Sequence, residues 1–409
     1  MVPEGWKHRR LSEICTTVTS GSRDWAQYYA DDGAKFIRMT NLRRESIWLD
    51  LSDLKFVDIQ RDSADGKRTS LRAGDILMSI TAELGKIGWV NEGLGESYIN
   101  QHTALIRLNK EKASTMFVAY LLSSQEMNAK INRLNDSGAK AGLNLPTIRA
   151  IPLSLPPLPE QKKIAQILST WDKAITTTEQ LLANSQQQKK ALMQQLLTGK
   201  KRLLDKNGVR FSGEWQVLPL GHLTNIFDGT HSTPKYVEDG VPFYSVEHLT
   251  ANDFSKTKFI SEEVFDKENK RVKLERGDIL MTRIGDIGTA KHLDWDVRAS
   301  FYVSLALVKA SESFDSEYMT QYINSNIFRS ELWKRTIHVA FPKKINLGEI
   351  SNCLVVIPSL EEQQKIAAVL STADQEISAI QQKLDALKQE KKALMQQLLT
   401  GKRRVKPIK

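Results

Sequence analysis

Lys189 to Lys200 reads KKALMQQLLTGK, and the same twelve residues return unchanged from Lys391 to Lys402. The match extends back without a gap to Leu158 and Leu360, at a constant offset of 202 positions. Leu158-x-Glu160-Gln161-x-Lys163-Ile164-Ala165 pairs with Leu360-x-Glu362-Gln363-x-Lys365-Ile366-Ala367. Leu168-Ser169-Thr170-x-Asp172 pairs with Leu370-Ser371-Thr372-x-Asp374. A period close to half the chain is a domain-scale duplication, not a solenoid of short repeats.

Within the first repeat, Ile164, Leu168, Trp171, Ile175, Thr178, Leu182, Ser185, Lys189, Leu192 and Leu196 follow 4-3 spacing. In the second, Ile366, Leu370, Ala373, Ile377, Ile380, Leu384, Leu387, Lys391, Leu394 and Leu398 do the same. That is a heptad seam, long enough to predict a coiled coil. Pro156-Pro157-Leu158-Pro159 and Pro358-Ser359-Leu360 bar an earlier start, Ser359 and Glu362 have capping-box spacing, and Gly199 and Gly401 stand where a left-handed cap wants glycine. A helix from Glu160 to Leu197 would be roughly 57 Å long. Its apolar stripe needs a partner. An antiparallel intramolecular pairing of the two copies answers that need, with a globular unit at either end. Packing of each helix on its own unit, or dimerisation through the helices, would answer it too. Lys189, Lys391, Thr178 and Ser185 are polar residues on the seam, of the kind that fix register at a cost in stability. Identity at surface positions such as Gln194 and Gln396 exceeds what packing needs. Two equivalent docking sites would explain it, and so would a recent duplication.

The repeats divide the chain into unit, repeat, unit, repeat: residues 1–150, 151–204, 205–352 and 353–409. The two units resemble each other more faintly. Gly74-Asp75-Ile76-Leu77-Met78 matches Gly277-Asp278-Ile279-Leu280-Met281, Trp6 matches Trp215, and Phe36 to Leu42 matches Phe243 to Leu249. These stretches read as short strands broken by Gly and Asp, with helical segments at Thr115 to Ile131 and Ser316 to Lys334. The expected fold class is α/β (α+β): two similar mixed domains joined by two long antiparallel helices with pseudo-two-fold symmetry.

With 409 residues, 41% apolar and 26% charged, the chain has the composition of a soluble globular protein. No apolar run approaches the ~20 residues of a membrane span, and Met1 to Trp6 lacks a signal-peptide core, so a cytoplasmic location is expected. Cys15 and Cys353 sit in unrelated contexts and read as small buried residues. The net charge of +10 invites a nucleic-acid partner. The excess lies in the repeats: +5 in residues 151–204 and +4 in 351–409, against +3 in 1–150 and −2 in 205–350. DNA contact by the units must therefore come from local patches.

The residues hold no constellation for catalysis. The seven histidines never fall at i, i+4, there is no Cys pair with ligand spacing, and no G-x-x-x-x-G-K-[ST] loop occurs. No Asn/Asp-Pro-Pro-aromatic tetrapeptide is present to hold a flipped adenine. Asp266-x-Glu268-x-Lys270 is better read as a solvated loop than as a nuclease trio. What remains is recognition, through basic residues interleaved with hydrogen-bonding ones. In the first unit these are Ser20, Ser22, Arg23, Arg38, Thr40, Asn41, Arg43, Lys67, Arg68 and Lys140. In the second they are Thr230, His231, Ser232, Lys235, Arg271, Lys273, Arg283, Lys343 and Lys344. Arg and Asn read guanine and adenine edges, while Lys, Ser and Thr more often hold phosphates. Recurrence at matching places in both halves lifts the group above a merely solvated face.

Two diverged α/β units alternating with two near-identical helical repeats that open on P-L-x-E-Q-x-K-I-A resemble the specificity subunit of type I restriction–modification systems. The resemblance covers essentially the whole chain. It implies that each unit is a target recognition domain reading one half of a split sequence in double-stranded DNA, with the helices as spacer. It further implies two adenine-methylating modification subunits that bind S-adenosylmethionine. Restriction subunits that hydrolyse ATP with Mg and translocate DNA would join them. No cofactor or metal is expected in this chain. The alternative reading is a coiled-coil scaffold without DNA specificity; an enzyme fragment whose missing half carries the methyltransferase is a third.

Overall fold

The computed structural model describes residues 3–23, 25–135 and 142–406. The chain packs as two compact units, Met1–Gln180 with Gln382–Lys409, and Leu181–Gln381. Each contains a mixed α/β domain built from the same parts.

In the first domain, a four-stranded antiparallel sheet has the order Cys15–Ser20, Thr103–Leu108, Ile76–Ser79, Ile87–Trp89. A second sheet runs Tyr29–Ala30, Lys55–Val57, Ala34–Ile37, Ser97–Ile99, the last pair being parallel. A two-stranded ribbon joins Lys7–Arg10 to Pro152–Leu155. The second domain repeats all three. Its sheets are Ile226–Asp228, Leu305–Val308, Ile279–Ile284, Asp286–His292 and Tyr236–Val237, Lys258–Ile260, Val241–Tyr244, Ser300–Phe301; its ribbon is Gln216–Pro219 with Leu354–Ile357. Ile76, Leu77 and Met78 are wholly buried, as are Ile279, Leu280 and Met281. A central strand covered on both faces needs such a continuous apolar run.

The aspartates of these two segments were not singled out in the sequence, and they are anchors. Asp75 is buried and accepts from Arg107 Nε (2.8 Å) and Nη2 (2.6 Å) and from the Arg72 amide. Asp278, also buried, accepts from Lys309 Nζ (2.7 Å) and the amides of Glu275 and Ala310. A buried carboxylate is tolerable only when paired and hydrogen-bonded in this way.

The two segments expected to be continuous helices are each broken in two. Thr115–Ser123 gives way to Gln125–Arg133, and Ser316–Ile323 to Asn326–Arg335. Ser124 and Ser325 turn their hydroxyls onto the amides of Met127 and Phe328, starting a new helix as N-caps. Asp266 and Glu268, expected in a loop, lie on the helix Glu262–Asn269.

Two long helices, Leu158–Leu196 and Leu360–Leu398, join the domains. The first begins two residues earlier than the prolines suggest, because Pro159 falls in the first turn, where its missing N–H costs nothing. Gly199 and Gly401 do take left-handed φ, +70° and +72°. The Glu362 amide donates to Ser359 Oγ at 3.4 Å, but its carboxylate is engaged elsewhere, so the box is half made. Every seam position from Ile164 to Leu196 and from Ile366 to Leu398 is buried or half-buried. In the first unit, Ile164 and Leu168 enter the domain core together with Leu398 and Leu399; in the second, Ile366 and Leu370 do so with Leu196 and Leu197. Each core is thus closed by the start of one long helix and the end of the other.

Ion pairs reinforce those junctions. In the first unit Lys391 pairs with Asp172, Lys388 with Glu179 and Arg404 with Glu160. In the second Lys189 pairs with Asp374 and Arg202 with Glu362. The helix segments therefore run antiparallel within each unit. The seam lysines are not flaws: each reaches the aspartate of the other repeat's Leu-Ser-Thr-x-Asp motif. Gln161 and Gln363 tie the helices to the domains, accepting from the amides of Ser114 and Asp315 (both 2.9 Å). Cys15 and Cys353 are free, and burial pushes both thiols up to about 12, so neither is a nucleophile at neutral pH. Among the described residues no helix is long and apolar enough to cross a membrane.

Candidate nucleic-acid interface

In each domain the edge strand Cys15–Ser20 or Ile226–Asp228 ends in a tight turn held by a glycine. A Cβ on Gly21 would lie 2.1 Å from the Asn100 carbonyl oxygen, and one on Gly229 2.0 Å from that of Phe301. Only glycine lets the two backbones pass so closely. The next residues, Ser22 and Thr230, form single parallel bridges with Asn100 and Tyr302. Both are buried, while Arg23 and His231 after them face solvent.

One arginine closes each turn. Arg68 donates from Nη1 to the Ser20 carbonyl (3.2 Å) and from Nη2 to Ser22 Oγ and Asp65. Arg271 donates from Nη2 to the Asp228 carbonyl (2.6 Å) and from Nη1 to that of Gly229 (3.2 Å), and also pairs with the Asp228 carboxylate. The hydrogen bond from Ser22, followed by that from Arg68, holds the Asp65 carboxyl below its ordinary range. Of these residues the sequence singled out as candidates Ser20, Ser22, Arg23, Arg68, Thr230, His231 and Arg271, but neither the turn glycines and the backbone they approach nor Asp65 and Asp228, the acceptors that orient the arginines.

Around the first turn an open cleft of about 590 Å³ is lined by Ser20, Gly21, Arg23, Arg68, Thr81, Gln101 and His102. Thr81 Oγ1 and His102 Nδ1 lie 2.8 Å apart, and Gln101 Nε2 is 3.2 Å from His102 Nε2. Gln101 and His102 were missed. The signal was present in the polar run Asn100-Gln101-His102 directly before a buried strand.

In the second domain Asp228 gathers three candidates. It holds Arg271, lies 3.0 Å from His231 Nε2 and 3.8 Å from Arg283 Nη2. Arg283 is buried and donates from Nη1 to the Val303 carbonyl (3.3 Å), leaving Nε without a partner. Its strand also carries Lys343 and Lys344, through hydrogen bonds from the Gly285 amide to the Lys343 carbonyl and from the Ile345 amide to the Arg283 carbonyl. A second cleft, about 300 Å³, lies between Tyr236, His248, Lys258 and Tyr302. The Tyr302 hydroxyl is 3.3 Å from Thr233 Oγ1.

The remaining candidates are less concentrated. Arg38, Thr40, Asn41 and Arg43 surround the turn Met39–Asn41. Asn41 is buried, its amide nitrogen donating to the Asp50 carbonyl and its oxygen accepting from the Arg38 amide. Arg38 pairs with Asp53 and Arg43 with Asp50. Hydrogen bonds from Ser52, then Arg43, lower the Asp50 carboxyl to about 2. Lys67, Ser232, Lys235 and Lys273 are exposed. Lys140 lies outside the described residues. Of the helical candidates, Ile164, Leu168, Leu196, Ile366, Leu370, Leu384 and Leu398 are buried, and Ile175, Leu182, Leu192, Ile377 and Leu394 are half-buried.

The site offers guanidinium, imidazole, amide and hydroxyl groups on a rigid turn, which is equipment for hydrogen-bonded recognition. Among the described residues no group of three or more His, Cys, Asp or Glu could hold a metal ion. Fold and site together show one arrangement, a glycine turn closed by an arginine, built twice in the chain. The model of the type I restriction modification DNA specificity domain matches residues 3–184 and 212–389. A putative type I restriction enzyme specificity subunit, MjaX of Methanocaldococcus jannaschii, is 27% identical over 431 aligned positions, spanning 99% of this chain and 95% of its own. The EcoKI specificity subunit of Escherichia coli is 24% identical, with 89% and 81% covered. Among solved structures, the type I S subunit from M. genitalium aligns with a TM-score of 0.63 at 13% identity, covering 96% of each chain, which is a likeness of fold. The chain belongs to the family of type I restriction–modification specificity (S) subunits.

Proposed function

We propose that this chain is the DNA-reading subunit of a type I restriction–modification complex, with each α/β domain contacting one half of a bipartite site. Residues 1–150 and 205–352 are the readers; residues 151–204 and 353–409 form an intramolecular coiled coil with pseudo-two-fold symmetry. The repeated Gly21/Gly229 turn, closed by Arg68 or Arg271, carries the reading. It is one scaffold used twice, with a different side chain at its exposed place, Arg23 in one domain and His231 in the other, and a different one beneath, Ser20 or the buried Asp228. An arginine can address guanine and an imidazole a different edge, so diverged side chains on a common frame give two half-sites. The exposed heads of Arg23, Lys67, Arg68, His231, Lys235 and Arg271 are the favoured contacts, with Arg38, Thr40 and Arg43 as further ones and Lys140 added on its sequence position alone. Asn41 supports the turn from below.

The helical pair sets the gap between half-sites and docks two modification subunits, to which methyl transfer and base flipping belong. The near-identical repeats support two equivalent docks. Restriction subunits complete the assembly. The test is methylome sequencing of cells carrying this chain with and without its modification partner. Adenine methylation is expected in a split motif, and replacing residues 1–150 should change one half of it alone. Methylation at a continuous motif, or no dependence on this chain, would overturn the reading. Four residues inserted into each long helix, about one turn, should lengthen the gap.

A further inference from the structure

The loop between the helices Asn326–Arg335 and Leu347–Ser351 breaks the usual rule for apolar side chains. Val339 is 96% exposed and Phe341 fully so, and Trp333 at the loop's base is 59% exposed. Solvent-facing apolar groups gathered at one tip point to an interaction site. The loop is anchored below that tip. Ile337 donates to the Lys344 carbonyl and Gly285 to that of Lys343 (both 2.8 Å), so its stem is fastened to the strand that carries Arg283. The His338 ring lies 4.2 Å from the Trp333 ring, and Lys343 Nζ sits 4.8 Å over Trp333 from its centre. Among the described residues no carboxylate pairs with Lys343 or Lys344.

We propose that the Val339–Phe341 tip is a wedge that enters duplex DNA and unstacks one base step within the half-site contacted by the second domain. The proposal rests on the DNA reading above and deepens it. An apolar tip followed at once by two lysines without a carboxylate partner complements a base step flanked by its phosphates, and apolar wedges of this kind kink DNA at the step they enter. The stem's attachment to the Arg283 strand keeps the tip beside the groups gathered by Asp228. A protein partner that docks equally on both halves would need the same residues in each. At the same distance before the repeat, the first domain has Ser137 and Ala139 in place of Val339 and Phe341. The wedge is therefore a property of one half-site.

The experiment uses the complex of this chain with its modification subunits, and duplexes carrying 2-aminopurine at positions other than the methylated adenines. A fluorescence rise is expected at one step of the second half-site and at none of the first. Phe341→Ala should abolish that rise and weaken specific binding roughly ten-fold, the scale of one lost aromatic–base stack. Phe341→Trp should retain both. A rise that survives Phe341→Ala would overturn the wedge, as would a Phe341→Ala chain that no longer binds the modification subunits in the absence of DNA. If the wild-type complex shows no sequence preference at all, the DNA reading itself falls, and the wedge with it.

Discussion

Asp172 and Asp374 hold the same place in the two repeats, and each meets the lysine that opens the other repeat's invariant block. Their surroundings differ. In the Asp172–Lys391 pair the side chains are 8% and 9% exposed, and Asp172 also accepts from Trp48 Nε1 (3.0 Å) and the Tyr120 hydroxyl. In the Asp374–Lys189 pair they are 45% and 18% exposed, with Gln321 as the further donor. The second pair of locks reverses the order. Glu362 is 1% exposed and takes both Arg202 and Trp215 Nε1 (3.1 Å). Its counterpart Glu160 is paired with a more exposed arginine, Arg404, and the Nε1 of Trp6 has no partner. Each unit thus has one deeply buried lock and one that water reaches. The repeat dictates which residues meet, and the diverged domain decides how much the meeting contributes.

Substitutions can break or sharpen this comparison. Asp172→Ala should have the largest effect, because it strands a buried ammonium and removes the acceptor of two further donors. A loss of about 3–5 kcal/mol is expected, read as faster amide exchange in residues 158–180 and 382–398. Glu362→Ala should cost the second unit somewhat less, about 2–4 kcal/mol, since Arg202 keeps partial access to water. Asp374→Ala should stay within about 1 kcal/mol, as for exposed pairs. Similar losses for Asp172→Ala and Asp374→Ala would show that the domain surroundings do not set the strength of the lock.

Acid provides a finer probe. The hydrogen bond from Arg404 holds the Glu160 carboxyl below its ordinary 4.5, against the opposing effect of burial. A carboxyl depressed in the folded state stabilises fully above its unfolded value and loses that contribution as pH falls through the folded one. The Glu160 lock is therefore complete above about pH 4.5 and fades below it, and Glu160→Gln should flatten that part of the acid unfolding curve. Trp6→Phe is the smallest change. It removes a buried indole N–H that has no acceptor, a gain that offsets the loss of ring volume from the core, so the net effect should lie within about 0.5 kcal/mol of zero.

The long helices, the alternation of domains and repeats, and the apolar central strands could all be read from the sequence, because each is a matter of periodicity. The locks could not. Lys189 and Lys391 looked like faults on an apolar seam, since nothing local says that a carboxylate far along the chain will lie opposite. Asn41 was misleading for a related reason: an asparagine that stabilises a turn has the same composition signal as one that reads adenine. Arg68 and Arg271 were legible as basic residues, but their role in closing a glycine turn depends on Asn100 and Phe301, contributed by distant strands. The breaks at Ser124 and Ser325 were marked by capping residues and were overlooked because helical periodicity carried through them.

The crossed locks also bear on how the two copies can change over generations. Each is made from the beginning of one repeat and the end of the other, so neither copy can be altered alone without spoiling a bond it shares with its sibling. A charge lost at Lys391 leaves Asp172 wanting, although Asp172 belongs to the other copy. A change at a lock residue calls for an answering change at its partner in the twin repeat, while positions outside the locks, such as Trp171 and Ala373, differ freely. The groups that close the clefts, Arg68 with Asp65 and Arg271 with Asp228, each bond within their own domain, so a change in one asks nothing of the other. Sameness at the locks and variety in the domains are then two outcomes of one pattern of contacts.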